Sequence, residues 1–134
     1  MNQKTIPRFL IETDVLADHL ITDSKTESYL IKLMKSGICF TSVLNASELF
    51  LLTDSQLELQ RVNDVLYSIK VLGIHARYSL SVPKYKNRFN NLRDTLFYIL
   101  ADLNKLTIVS LKPDRFNNIN VNSYHPEFII SQVF

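Results

Sequence analysis

Short apolar runs alternate along the chain with longer stretches whose apolar residues recur at helical spacing. Arg8-Phe9-Leu10-Ile11, Ile38-Cys39-Phe40-Thr41 and Leu106-Thr107-Ile108-Val109-Ser110 read as strands buried on both faces. Between the first two runs, Asp14 can cap a helix beginning at Val15, with Leu16 and Leu20 inward. A second helix, opened by Ser24 or Thr26, carries Leu30, Leu33 and Met34 on one stripe and stops at Gly37. Two more helices follow the second strand, from Val43 to Leu52 and from Ser55 to Leu72. The latter has its stripe at Val62, Val65, Leu66 and Ile69 and ends at Gly73. Residues Ile74 to Ser81 fit either a short strand or a loop, and Pro83 opens a basic helical stretch. Asp94 to Leu103 reads as a helix with Leu96, Ile99, Leu100 and Leu103 inward. The segment from Asn117 to Phe134 is expected to pack back on the domain through Phe128, Ile129 and Ile130. Strands separated by helical patterns imply βαβ units, hence an α/β fold around a mostly parallel sheet.

Composition narrows the class. A length of 134 residues suits one domain, residues 1–134, and 46% hydrophobic residues suffice for a real core. Two glycines and four prolines argue against a turn-rich all-β protein. The single cysteine, Cys39, excludes an intramolecular disulfide and suits a reducing compartment, where it is expected to be a small buried residue. No apolar run approaches the roughly 18 residues needed to cross a bilayer, and Met1 to Pro7 makes a poor signal peptide. A cytoplasmic location without membrane attachment is the expectation. A net charge of +2 does not by itself indicate nucleic-acid binding.

The chemistry-bearing feature is a set of acids at the edges of apolar segments. Glu12 follows the first strand directly, with Asp14 two residues on; Glu48 lies in the helix after the second strand; Asp94 opens its helix; and Asp114 follows the third strand. In parallel sheets, sites form beyond the carboxyl ends of the strands. Each acid therefore falls on the same edge. A carboxylate beside a core segment is costly unless paired, and several converging would call for a hard divalent cation such as Mg²⁺ or Mn²⁺. Taken singly, Asp14 reads equally as a helix cap and Asp94 as a first-turn acid serving the helix dipole.

Four segments in order resemble the PIN domain family, specifically the small bacterial VapC-like toxin ribonucleases. Phe9 to Asp18 resembles the opening strand, turn and helix; Thr41-Ser42-Val43-Leu44-Asn45-Ala46-Ser47-Glu48-Leu49 resembles the second acidic element. Arg93-Asp94-Thr95-Leu96-Phe97-Tyr98-Ile99-Leu100-Ala101 resembles the third, and Leu106 to Ser110 with Asp114-Arg115-Phe116 the closing strand and loop. Tyr124-His125-Pro126-Glu127-Phe128 resembles the late turn. The resemblance implies a three-layer α/β/α PIN-like fold and Mg²⁺- or Mn²⁺-dependent endonucleolytic cleavage of RNA. Glu12, Glu48, Asp94 and Asp114 would be the catalytic acids, and Glu12, Asp14, Glu48, Asp94 and Asp114 the metal ligands. It further implies an antitoxin partner and a homodimer. Two positions depart from the family pattern. Glu12 replaces an aspartate, and the closing loop in strict register puts Lys112 and Arg115 where acids are usual, placing cations beside Glu12 or Asp94. A slip of one residue instead brings Asp114 to the site.

Lys84, Lys86, Arg88 and Arg93, with Lys112, form candidate contacts for RNA phosphates, and Tyr85 and Phe89 candidate stacking partners for a base. A solvated helix face is the alternative for each lysine. His19, His75 and His125 lack zinc-site spacing, and neither a Gly-rich phosphate loop nor a serine elbow is present. The rival classes are a PIN-like nucleic-acid or protein binding module that has lost catalysis, and a DNA-directed nuclease using the same chemistry.

Overall fold

A computed structural model describes residues 5–118 and 120–133. The elements run β1 (Arg8–Ile11), α1 (Thr13–Ile21), α2 (Tyr29–Ser36), β2 (Ile38–Ser42), α3 (Val43–Leu51), α4 (Gln56–Ser68) and β3 (Lys70–Leu72). A 3-10 segment, Ala76–Tyr85, leads to α5 (Leu92–Asn104), β4 (Thr107–Val109), a 3-10 turn (Pro113–Phe116), β5 (Ser123–Tyr124) and α6 (Pro126–Val133). Five strands form one sheet in the order β3-β2-β1-β4-β5, and every pairing is parallel.

Alternation along the central strands divides the core into two layers. Phe9, Ile11, Cys39 and Val109 face one side, where they pack with Val15 and Leu16 of α1, Leu30 and Leu33 of α2, Leu49 of α3, Val62 and Val65 of α4 and Ile129 of α6. Leu10, Phe40 and Ile108 face the other, against Phe97 to Ala101 of α5 and Tyr85 and Phe116 from the two 3-10 segments. The result is the three-layer α/β/α arrangement with the expected parallel sheet. Burial raises the pKa of the Cys39 thiol to about 12, as befits an inert core residue. No helix among the described residues is long and apolar enough to cross a membrane.

Several boundaries differ from the sequence expectation. Helix α1 begins at Thr13, capped by the Glu12 side chain rather than by Asp14. Helix α2 starts at Tyr29 because Ser28, and not Ser24 or Thr26, accepts a bond from Ile31 N. The long helix stops at Ser68. Ile69 turns extended, and Lys70-Val71-Leu72 pair with Phe40-Thr41-Ser42 as an edge strand. Pro83 lies within the 3-10 segment that also takes in most of residues 74–81. Helix α5 opens two residues before Asp94, capped by Asn91, and Leu103 faces solvent at 50% exposure. At the C-terminus Ile129 is buried and Ile130 half-buried, while Phe128 is half-exposed and stacks on Tyr124. Met1 to Lys4, Ile119 and Phe134 lie outside the described residues.

Gly37 closes α2 at the point where β2 joins β1. Ile38 N donates to Pro7 O at 2.9 Å, and a Cβ on Gly37 would collide with that same carbonyl oxygen and meet the Phe9 ring at 3.0 Å. Gly73 has open space around it. Gly37→Ala is expected to destabilise the fold by about 1–3 kcal/mol through overpacking. Gly73→Ala should be neutral or stabilise by up to about 1 kcal/mol. Urea unfolding of both variants checks this, and equal midpoints would contradict it.

Candidate functional site

The carboxyl edge of the sheet carries an open cleft lined by Glu12, Thr13, Asp14, Glu48, Asn91, Arg93, Asp94 and Arg115. Its location follows from topology. From β1 the chain moves outward to β2 and β3, then returns to β4 on the other side of β1 and on to β5, so the loops after β1 and β4 run opposite ways and leave a crevice. Glu12 N donates to Val109 O at 3.0 Å, which extends the β1–β4 ladder one residue and fixes where the Glu12 side chain departs.

Helix α3 delivers Glu48 from the β2 side. Ser42 caps it, accepting bonds from Leu44 N and Asn45 N, while Asn45 Oδ1 accepts from Ser42 N in a reciprocal capping box. Asn45 and Glu48 are three residues apart and share a face. From there Asn45 Nδ2 donates to Glu12 Oε1 at 2.8 Å and to Thr13 Oγ1 at 2.9 Å, and Thr13 Oγ1 donates to Glu48 Oε1 at 2.6 Å. Helix α5 supplies Arg93 and Asp94 in its first turn, held by the Asn91 cap at 2.8 Å from Asp94 N.

Arg93 sits at the centre. Its Nη1 donates to Glu12 Oε2 at 2.8 Å and Asp94 Oδ1 at 3.1 Å; its Nη2 donates to Glu12 Oε1, to Glu48 Oε1 at 2.6 Å and to Thr13 Oγ1 at 3.1 Å; its Nε donates to Glu48 Oε2 at 3.2 Å. A guanidinium has five N–H groups, and here every nitrogen is engaged. Arg115, on the turn after β4, adds Nη1 at 3.1 Å from Glu12 Oε2 and Nη2 at 2.7 Å from Asp94 Oδ1. Each guanidinium also lies about 5 Å from an aromatic ring, Arg93 over Phe97 and Arg115 over Phe116.

The electrostatics follow this arrangement. Burial alone would raise Glu48. The hydrogen bonds from Arg93 and Thr13 and the charges of Arg93 and Arg115 outweigh it, and hold the carboxyl below its ordinary 4.5. Arg93 is likewise pushed up, since its bonds to Glu12 and Glu48 outweigh the cost of burial. Asp14 behaves oppositely. Burial raises it above 3.8 against the bonds from Ser110 Oγ and Leu111 N, and the Glu12 charge adds to the rise. Those two bonds take Oδ2, at 2.9 and 3.1 Å, and leave Oδ1 buried with no hydrogen-bond partner.

The structure thus brings Glu12, Asp14, Glu48 and Asp94 to one cleft and leaves Asp114 out of it. Asp114 is exposed on its 3-10 turn, 3.4 Å from Asn117 Nδ2, while its neighbour Arg115 points inward. The strict register of the closing loop holds for Arg115. Lys112 is exposed, with its backbone N bonded to Ser110 Oγ. Lys84, Lys86 and Arg88 are exposed along the segment that leads to α5, with Lys84 4.0 Å from Asp102 and over the Tyr85 ring. Tyr85 and Phe89 do not stand ready to stack a base. Tyr85 is 3% exposed and bonded to Asp102, and Phe89 packs on Tyr98 and Phe116. Arg93, expected to face a phosphate, faces the carboxylates. Thr13 and Asn45 are the lining and bridging residues that sequence reading missed; the three-residue spacing of Asn45 from Glu48 was the available signal.

As arranged, these donors do not fit a divalent cation. Glu12 already accepts from Thr13 N, Asn45 and Arg93, and both Glu48 oxygens accept from Arg93. Among the described residues no group of three or more histidines, cysteines or acids is placed to hold a metal ion.

Two consequences are measurable. Arg93→Gln leaves Glu12, 1% exposed, without its main counter-charge, and should cost about 3–5 kcal/mol in urea unfolding. Arg115→Gln, a third exposed and making fewer contacts, should cost on the order of 1 kcal/mol. Because Glu48 titrates lower in the folded state, its contribution is fully present above about 4.5 and is lost as pH falls through the depressed value. Glu48→Gln should therefore flatten the acid limb of stability against pH, followed by circular dichroism. An unchanged limb would contradict the pairing.

No protein-family model matches the sequence, and no curated protein matches it. Solved structures do. A chain of the DNA-bound VapBC of Salmonella typhimurium superposes with a TM-score of 0.74 over 90% of this chain and 99% of that one, at 13% identity. VapBC-1 of nontypeable Haemophilus influenzae gives 0.72 over 90% and 98%, at 11% identity. FitAcB of Neisseria gonorrhoeae gives 0.66 over 89% and 98%, at 15% identity. The chain shares its three-layer α/β/α, PIN-like fold with chains of these toxin–antitoxin structures.

Proposed function

We propose that the protein is the toxin component of a toxin–antitoxin pair, an endoribonuclease of the VapC-like type that hydrolyses RNA phosphodiester bonds at the Glu12–Glu48–Asp94 cleft. The observation that carries this is the convergence of three carboxylates, from the residue after β1, from α3 and from α5, on one guanidinium at the carboxyl edge of the sheet. The three acids come from sequence positions far apart, and the toxin–antitoxin assemblies that share the fold support the same reading.

In this proposal the arginines have a second partner. A guanidinium pairs with phosphate oxygens in the same forked geometry as with carboxylate. An RNA phosphodiester entering the cleft competes first for Arg115, which is a third exposed, and then for Arg93. The carboxylates so released include Glu48, the most exposed of the three at 41% of its side chain and the best placed to orient a water. Lys84, Lys86, Arg88 and Lys112 are exposed and supply further phosphate contacts. Mg²⁺ or Mn²⁺ is the cofactor the proposal carries, and no step through it follows from the ion-paired arrangement. The antitoxin and a second copy of the chain are the proposed partners. Exposed Ile21, Leu51, Leu52 and Leu57 around the groove between α1, α3 and α4 offer apolar surface for protein contact.

The saturation of Arg93 favours one alternative, a PIN-fold module that binds RNA without cutting it. Incubation of a generic single-stranded RNA with wild type, Glu48→Gln and Asp94→Asn, in Mg²⁺ or Mn²⁺, separates the two. Cleavage by wild type with a loss of ~100-fold or more in both variants is expected. Equal activity in all three would remove the cleft as the site. RNA retention by wild type without cleavage would establish the binding module.

A further inference from the structure

The mismatch between this cleft and a divalent cation has its own physical content. A Mg²⁺ ion requires oxygen lone pairs at about 2.0–2.1 Å in a near-octahedral set. A carboxylate has about four lone-pair sites. Those of Glu12 are taken by Thr13 N and Asn45 Nδ2, both at 2.8 Å, and by the two terminal nitrogens of Arg93, with Arg115 Nη1 at 3.1 Å on the same side. Glu48 receives Thr13 Oγ1, Arg93 Nη2 and Arg93 Nε.

Charge leads to the same conclusion. Among the ion-paired groups three carboxylates face two guanidiniums, while the fourth acid of the cleft, Asp14, is turned to Ser110 Oγ and Leu111 N. A dication added with both arginines in place would sit against two fixed cations in a partly desolvated cleft where repulsion is weakly screened. The extra methylene of Glu12 fits the same picture. Its longer arm caps α1 through Thr13 N while presenting both oxygens to Arg93.

We infer that Arg93, backed by Arg115, is the resident counter-ion of this cleft and holds the place of a divalent cation, so that the free protein does not take up Mg²⁺ or Mn²⁺. The inference requires that the Glu12–Glu48–Asp94 cleft be the functional site, and does not require that RNA be cleaved there. Arg93 carries most of the exclusion because all its nitrogens are engaged and its side chain is only 21% exposed. Arg115 makes two of the contacts and contributes less.

The test is calorimetric titration of the full chain with Mn²⁺ alone, alongside thermal unfolding in Mn²⁺ and in chelator, for wild type, Arg93→Gln and Arg115→Gln. Wild type is expected to give no saturable binding up to about 1 mM and no change in unfolding temperature. Arg93→Gln should bind at least ~10-fold more tightly than wild type and unfold at a higher temperature with the metal present, and Arg115→Gln should show a smaller gain in the same direction. Micromolar binding by wild type overturns the inference, as does folded Arg93→Gln binding no better than wild type. Should Arg93→Gln fold only in Mn²⁺, that rescue supports the inference, and failure to fold in either condition passes the decision to Arg115→Gln, whose affinity must then exceed that of wild type. RNA cleavage separates the outcomes. Metal binding by wild type with cleavage intact overturns the counter-ion alone, whereas metal exclusion without any cleavage overturns the ribonuclease proposal alone.

Discussion

Everything at the carboxyl edge of the sheet depends on how the Glu12 side chain is partnered at 1% exposure. Removing a carboxylate from water costs several kcal/mol even after the protein relaxes, and only close, well-formed partners offset it. Arg93 does so with a forked contact to both oxygens, and Thr13 N and Asn45 complete the shell. The same guanidinium then has donors left for Glu48 and Asp94, so a single side chain ties β1, α3 and the start of α5 together. Replacing it with a neutral group would strand an ion rather than simply delete a contact.

The backbone prepares this arrangement before any side chain closes it. The β1–β4 ladder continues through Glu12 N to Val109 O, the Ser42–Asn45 box fixes the first turn of α3, and Asn91 fixes that of α5. Two capped helix N-termini, with their positive dipole ends, therefore point toward the region where acids gather. Asp14 is the exception within the cleft. It is spent on the loop after β4 through Ser110 and Leu111, so it steadies the position of Arg115 instead of sharing the central charge.

The central strands were legible because two-sided burial writes an uninterrupted apolar run, and the acidic positions were legible because strand ends predict a functional edge. Edge strands were not. Lys70 and Val71 are exposed and Leu72 only half-buried, so β3 carries no apolar run and was absorbed into the preceding helix pattern; two-residue β5 leaves no pattern at all. The direction of Arg93 was equally hidden. Following a basic stretch it looked like a phosphate contact, and only the position of its Cα on the first turn of α5, facing Glu12 and Glu48 across the crevice, sends it inward. Asp114 and Arg115 differ by one residue on a 3-10 turn, where neighbours point about 120° apart, and spacing alone did not choose between them.

The central ion cluster joins residues 12, 48, 93, 94 and 115, so its members come from nearly the whole length of the chain. During synthesis, which proceeds from the N-terminus at about 5–20 residues per second, the carboxylates of Glu12 and Glu48 emerge well before the arginine that neutralises them. The segment through α4 accordingly carries surplus negative charge and an incomplete sheet, because β4, the neighbour of β1, is still to come. Closure must await translation past Arg93. The cleft is consequently a late product of folding, and a nascent fragment ending before β4 possesses its acids without the geometry that makes them a site.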